Sequence, residues 1–277
     1  MSLWQSLVLG IVQGLTEFLP ISSSGHLVLF QRLFGMKEPM MAFDVALHGA
    51  TLLVVVVYFW KDVRGVLVDF GESLGRMISK KTSPDLPVPP PHKGLWVCIL
   101  ISLVPTGIIA VLFKDFFEQG FAKLGFVAIR WFIMGILFIL SQRFQKGQKD
   151  LSVISYGDAF WIGLVQGIAL MPGVSRSGST ILIGLWLGLR KDTAAKFSFL
   201  ISIPAILAAL AMELRHGVNF FSSYPLQTFA GFLAALVTGY FVMVWLMKIV
   251  RKGRFYLFGY YCIAVSLFAF TFLILSQ

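Results

Sequence analysis

Six runs of apolar residues, at 46–60, 95–113, 126–140, 197–212, 228–247 and 255–275, recur along the chain with charged connections between them. Each approaches or reaches the roughly 20 residues that a helix needs to cross a bilayer, so the pattern predicts six spans. Two further apolar stretches, 3–33 and 159–189, lack this continuity because Pro, Ser and Gly interrupt both in the middle. Irregular backbone survives at membrane depth only where protein or a water-filled cavity satisfies its N–H and C=O groups. Each interrupted stretch is therefore predicted to enter the membrane as a helix, break against a cavity and return.

Composition agrees with this reading and the charges orient it. Of 277 residues 57% are hydrophobic and 13% charged, against about 25% charged in soluble domains. A net charge of +10 would suit nucleic acid if it lay on a soluble face, but the Lys and Arg residues fall between apolar runs, so no nucleic-acid partner is expected. They cluster at Lys61–Lys93, at Arg143, Lys146 and Lys149, at Arg190, Lys191 and Lys196, and at Lys248–Arg254. The positive-inside rule places these connections in the cytoplasm and the loops 114–123 and 213–226 outside. Stretch 159–189 then enters from the cytoplasm and stretch 3–33 from the outside. The N-terminus carries neither a basic stretch nor a small-residue cleavage site, so the first segment is expected to stay. The proline-rich stretch 82–92 reads as an extended linker. Cys98 and Cys262 sit in apolar runs without metal-ligand spacing and are expected as packed thiols with no disulfide.

At a fixed offset of 153 the chain aligns with itself: Gly10-Ile-Val-Gln13-Gly14 falls on Gly163-Leu-Val-Gln166-Gly167, and Ser22-Ser23-Ser24-Gly25 on Ser175-Arg176-Ser177-Gly178. Each half is then a re-entrant helix pair followed by three spans, an odd number that reverses orientation. The expected fold is an all-α polytopic membrane protein built as an inverted-topology repeat. It forms a single domain, with repeat one at about 1–141, a cytoplasmic loop at 142–157 and repeat two at about 158–277.

The breaks carry the candidate chemistry. After Pro20 and after Pro172-Gly173 a hydroxyl-rich turn leads back into helix, so backbone N–H groups and the positive helix end should face the cavity, two candidate anion holes. Arg176 lies within the second break, where its planar fork suits phosphate oxygens; a buried ion pair with Glu17 is the bland alternative. Glu17 is the acidic residue deepest in an apolar segment, with Gln13 one turn earlier on the same face. The pair could help hold a divalent cation, or Glu17 could orient His26 or take a proton. His26 follows Ser22, Ser23 and Ser24 closely, so hydroxyl, imidazole and carboxylate are all present for attack on phosphorus. His48 and Thr51 are weighed as further polar lining, and Arg130 is expected to snorkel to the outer interface.

These residues are also recognisable. Gln13-Gly-Leu-Thr-Glu17-Phe-Leu-Pro20-Ile-Ser-Ser-Ser-Gly-His26 and Pro172-Gly-Val-Ser-Arg-Ser-Gly-Ser-Thr180 resemble the two motifs of the bacterial undecaprenyl-diphosphate phosphatase family, also called the bacitracin-resistance family. The resemblance extends over nearly the whole chain, including Phe43-Asp-Val at the start of the next span. It implies hydrolysis of undecaprenyl diphosphate to undecaprenyl phosphate and inorganic phosphate, recycling the lipid carrier of cell-wall synthesis at the outer face of the bacterial plasma membrane. By position it implies Glu17, Ser23, His26 and Arg176 as catalytic residues. Gln13, Ser22, Ser24, Ser175, Ser177 and Thr180 are implied as substrate-binding, and Glu17 and Gln13 as ligands of Mg²⁺ or Ca²⁺. The mechanism favoured has Arg176 and the helix N-termini binding the diphosphate and Ser23 attacking with help from His26 and Glu17; attack by an activated water is the close competitor. Partners expected are the polyprenyl diphosphate, membrane lipids and, as the candidate protein partner, a second copy in a homodimer. A lipid-phosphate transporter or flippase is the alternative from another class, because inverted repeats with broken helices are common in carriers.

Overall fold

The computed structural model describes residues 1–36, 40–79, 92–121, 124–144, 146–213 and 223–275. The first half contains α1 (Leu3–Thr16), α2 (Ser23–Leu33), α3 (Met41–Tyr58), α4 (Trp60–Ser79), α5 (Leu95–Leu112), α6 (Lys114–Phe121) and α7 (Leu124–Leu140). The second contains α8 (Tyr156–Ile168), α9 (Arg176–Trp186), α10 (Lys191–Glu213), α11 (Pro225–Lys252) and α12 (Tyr256–Leu275). Among the described residues the strand-like pairing is a single bridge between Lys149 and Leu189. Six helices, α3, α5, α7, α10, α11 and α12, are long and apolar enough to cross a membrane, matching the six predicted runs. Most of the expected 82–92 linker lies outside the described residues. Cys98 and Cys262 are buried and free.

Both interrupted stretches form helix pairs, and their ends are set by the same residues. Ser2 opens α1 in a capping box with Gln5, and Ser155 opens α8 in a capping box with Asp158. Ser22 caps α2 through Gly25 N–H, and Ser175 caps α9 through Gly178 N–H. A serine oxygen satisfies an otherwise orphaned helix N–H in each case, worth about 1 kcal/mol.

The halves interlock rather than sit side by side. Helix α1 packs on α11 of the second half, and α8 packs on α5 of the first. Both contacts need glycine: a Cβ at Gly10 would stand 2.2 Å from Gly231 O, and one at Gly163 would stand 2.0 Å from Ser102 O. Close backbone approach at small residues is how helices associate where lipid removes the hydrophobic drive between them. Further contacts join the halves: α7 meets α12 at Gly135 and Gly259, and α3 meets α10 directly.

Helices α4 and α6 are elements that the apolar pattern did not predict, α6 occupying most of the expected loop 114–123; α4 is the longer. Its charged residues Lys61, Asp62, Arg64, Asp69, Glu72 and Arg76 break any continuous run, yet Leu67, Phe70 and Leu74 recur at helical spacing on an exposed stripe. The Asp69 carboxylate accepts from Gly94 N–H at 2.6 Å, joining α4 to the start of α5. Asp62 accepts from Lys196 of α10 at 2.8 Å, so α4 belongs to the basic face assigned to the cytoplasm.

Candidate active site

The two breaks meet. Ser22 Oγ accepts from Gly173 N–H at 3.1 Å, and Ser177 Oγ donates to Phe18 C=O at 3.2 Å, so each turn is hydrogen-bonded to the other. Gly173 has φ 90°, and a Cβ there would lie 2.8 Å from Val127 O, so the second turn requires glycine on both counts. Ser22 has φ 68°, a left-handed conformation that costs a non-glycine residue on the order of 1 kcal/mol or more. Its counterpart Ser175 is ordinary, with φ −77°, which confines the strain to the first break.

At the junction Glu17 is 7% exposed and accepts from three side chains. Arg176 Nη2 stands 2.6 Å from Oε1, while Ser23 Oγ at 2.5 Å and Gln13 Nε2 at 3.1 Å donate to Oε2. His48 Nε2 lies 3.4 Å from Oε2, with its ring fixed by Nδ1–H donating to Asp44 C=O at 2.7 Å. Ser23 and Arg176 are counterparts under the 153-residue offset, each the first helical residue after its serine cap. One frame thus presents a hydroxyl from the first half and a guanidinium from the second to a single carboxylate. Arg176 Nη1 is buried and has no partner among the described residues, so the guanidinium keeps a donor for a further acceptor.

The junction lines a cavity of about 360 Å³. Glu17, Ser22, Ser23, Ser24, His48, Gln166, Ser175, Arg176 and Ser177 line it, together with an apolar wall that includes Val45, Ala110, Phe117, Ala205, Ile206 and Leu210. Met41, Lys114 and Met212 also line it; they lie at the ends of α3, α6 and α10 that adjoin the loops assigned to the outside.

Of the expected site residues, Gln13, His26 and Thr180 do not line the cavity. His26 is buried behind the serine turn, with Nδ1–H donating to Ser22 C=O at 2.7 Å and Nε2 accepting from the Tyr261 hydroxyl at 2.9 Å. It lies against the rings of Trp131 and Tyr261. Both ring nitrogens are engaged, so the expected relay from Ser23 through His26 to Glu17 is not made in this structure; Ser23 reaches Glu17 directly. Thr180 bonds Arg176 C=O and the Ser198 hydroxyl, supporting α9 from behind. Arg130 does not snorkel outward: it donates to Pro172 C=O at 2.9 Å and braces the second turn. Thr51 turns its hydroxyl back to the His48 carbonyl. Sequence reasoning missed Gln166, Lys114 and Phe117 as cavity residues; the repeat had already paired Gln166 with Gln13.

The groups around Glu17 suit a divalent cation poorly. Gln13 Oε1 is buried and has no partner among the described residues, but Glu17 is surrounded by N–H and O–H donors and one guanidinium. No cluster of three His, Cys, Asp or Glu side chains suited to a metal occurs among the described residues. Protein groups alone do not make a resident Mg²⁺ or Ca²⁺ site here.

A family profile described as bacitracin resistance protein BacA matches residues 6–268. The chain belongs to this family. Curated relatives include an undecaprenyl-diphosphatase of Desulfosudis oleivorans, 46% identical over 266 residues, covering 93% of this chain and 94% of that protein. Another, of Desulforapulum autotrophicum, is 39% identical over 267 residues, covering 96% and 97%. A third, of Methanobrevibacter smithii, is 40% identical over 271 residues, covering 98% and 97%. The BacA-family match spans both breaks, five spans and most of the sixth, so the shared site of the two halves lies within it.

Proposed function

We propose that the chain hydrolyses undecaprenyl diphosphate to undecaprenyl phosphate and inorganic phosphate, recycling the lipid carrier used in cell-wall synthesis and thereby conferring bacitracin resistance. Supporting the substrate class is a cavity lined both by the polar side chains of the junction and by apolar side chains such as Phe117, Ile206 and Leu210, which matches a diphosphate head and a prenyl tail. Supporting the reaction is a single contact, the Ser23 hydroxyl donating to Glu17 at 2.5 Å beside Arg176. A carrier needs the guanidinium but has no use for a hydroxyl poised on a carboxylate.

In this reading Arg176 and the N-terminal N–H groups of α2 and α9 hold the diphosphate, neutralising charge on the transferred group. Ser23 Oγ bonds to the terminal phosphorus and its proton passes to Glu17. The bond from phosphorus to the bridging oxygen breaks, and its electron pair leaves on undecaprenyl phosphate. Water then releases phosphate from Ser23. His26 and Tyr261 hold the strained Ser22 turn that aims Ser23. A divalent cation, Mg²⁺ or Ca²⁺, would enter with the diphosphate as its counter-ion and supply charge neutralisation. The cavity would open to the outer face of the plasma membrane, a placement supported by its rim residues and by the basic connections on the opposite side.

The test is phosphate release from undecaprenyl diphosphate by detergent-purified protein, wild type beside Ser23→Ala and Arg176→Ala, with Mg²⁺, Ca²⁺ or a chelator. Release by wild type and its loss in both folded variants is expected. No release by wild type with either cation would end the phosphatase reading.

A further inference from the structure

Gln166 is 1% exposed, lines the cavity, and its Oε1 has no hydrogen-bond partner among the described residues. The direction of its amide follows from its neighbour. Thr106 spends its one hydroxyl proton on Ser102 C=O at 2.9 Å and Gly163 C=O at 2.8 Å, so toward Gln166 it offers only a lone pair. Gln166 Nε2 donates to that lone pair at 3.3 Å, which leaves the amide oxygen as the group without a partner. A buried carbonyl oxygen without a donor is costly, and such a group needs a reason.

The repeat sharpens the question. Gln13, the counterpart of Gln166, donates its amide nitrogen to Glu17, but the counterpart of Glu17 in the second half is Leu170. The second glutamine thus has no carboxylate to serve. An amide oxygen also repels phosphate oxygens, so it calls for an N–H or O–H donor and not for the anion itself. Water is such a donor, and hydrolysis requires one.

We propose that Gln166 positions the water that releases phosphate from Ser23. This rests on the diphosphatase reading above. The Gln166 carbonyl accepts one O–H of the water and turns its oxygen toward phosphorus, from the half of the protein that does not carry Ser23. The water oxygen bonds to phosphorus, the phosphorus–Oγ bond breaks with its electron pair returning to Ser23, and Glu17 gives back the proton it took. The proton lost by the water leaves on the phosphate. Orienting the attacking water through a glutamine side chain is established chemistry in phosphoryl transfer.

Two variants separate this role from packing. Gln166→Leu keeps the volume and removes the acceptor; Thr106→Val keeps the volume and frees the amide to turn. Rapid-quench kinetics with diphosphate labelled in the terminal phosphate read undecaprenyl phosphate, inorganic phosphate and label on the protein in one experiment. In Gln166→Leu, a first turnover of undecaprenyl phosphate at the wild-type rate is expected, followed by phosphate release slowed about 10²-fold, with label held on Ser23. Thr106→Val should show the same burst to a smaller extent. The inference fails if both steps slow equally in the folded Gln166→Leu protein, if phosphate release stays within twofold of wild type, or if no label is trapped. Should Gln166→Leu not fold, Thr106→Val decides by the same criteria. Absence of any release by wild type would overturn the phosphatase reading itself, a result distinct from these.

Discussion

At the scale of single residues, the proton on Ser23 has one short route. Its hydroxyl lies 2.5 Å from Glu17 Oε2, whereas His26 is held between a backbone carbonyl and Tyr261. Glu17→Gln keeps an oxygen for Arg176 and removes the base, so kcat should fall roughly 10²- to 10⁴-fold with the chain still folded. Tyr261→Phe removes only a donor to His26; it should cost about 1 kcal/mol of stability and leave kcat within about fivefold. Phosphate release and thermal unfolding, measured on both variants, check the pair; a collapse of kcat in Tyr261→Phe alone would return the base to His26. The sequence disclosed that Ser23, His26 and Glu17 share a turn, and it could not disclose their pairing. The His26 ring turns to the carbonyl four residues back, as His48 does to Asp44 in α3, and residue spacing does not say whether an imidazole will take that carbonyl or a serine hydroxyl. Arg130 departs from the expectation for a similar reason: a guanidinium two turns into a span can bond a turn carbonyl, here that of buried Pro172, as readily as it can seek the interface.

At the scale of helices, glycines at the crossings carry more of the fold than the apolar runs do. Gly10→Ala would place a Cβ against the Gly231 backbone, which has no flexible end to move aside. We expect a loss of about 1–3 kcal/mol, and the same for Gly163→Ala at the corresponding contact with Ser102. Gly71→Ala on α4 meets nothing within 4 Å, so it should be neutral or stabilise by up to about 1 kcal/mol. Thermal unfolding in detergent of the three variants is the check, and a Gly10→Ala protein as stable as wild type would show that the crossing is loose. Spans were legible because their apolar length is set by bilayer thickness, and breaks because Pro, Gly and Ser cannot continue a helix quietly. Helix α4 was not legible from apolar length: its stripe of Leu67, Phe70 and Leu74 is diluted by charges that a run-length reading discards.

For the whole molecule, orientation rests on charge. Asp115 on α6 and Ser152 beyond α7 are both exposed, and they lie on faces that the basic connections assign to opposite sides. A membrane-impermeant maleimide should label Asp115→Cys in intact cells and Ser152→Cys only after permeabilisation, in a background lacking Cys98 and Cys262. The reverse pattern would invert the topology and turn the cavity toward the cytoplasm.

The ion pair at the junction joins residues 159 positions apart in the chain, and each turn is hydrogen-bonded to the other. This separation has a consequence in time. While the protein is being made, Ser23 and Glu17 enter the membrane long before Arg176 has been translated, and α1 must wait for α11, its packing partner. The emerging first half therefore holds a hydroxyl and a carboxylate without the cation that gathers phosphate, and reactivity arises only when the second half arrives to complete the assembly.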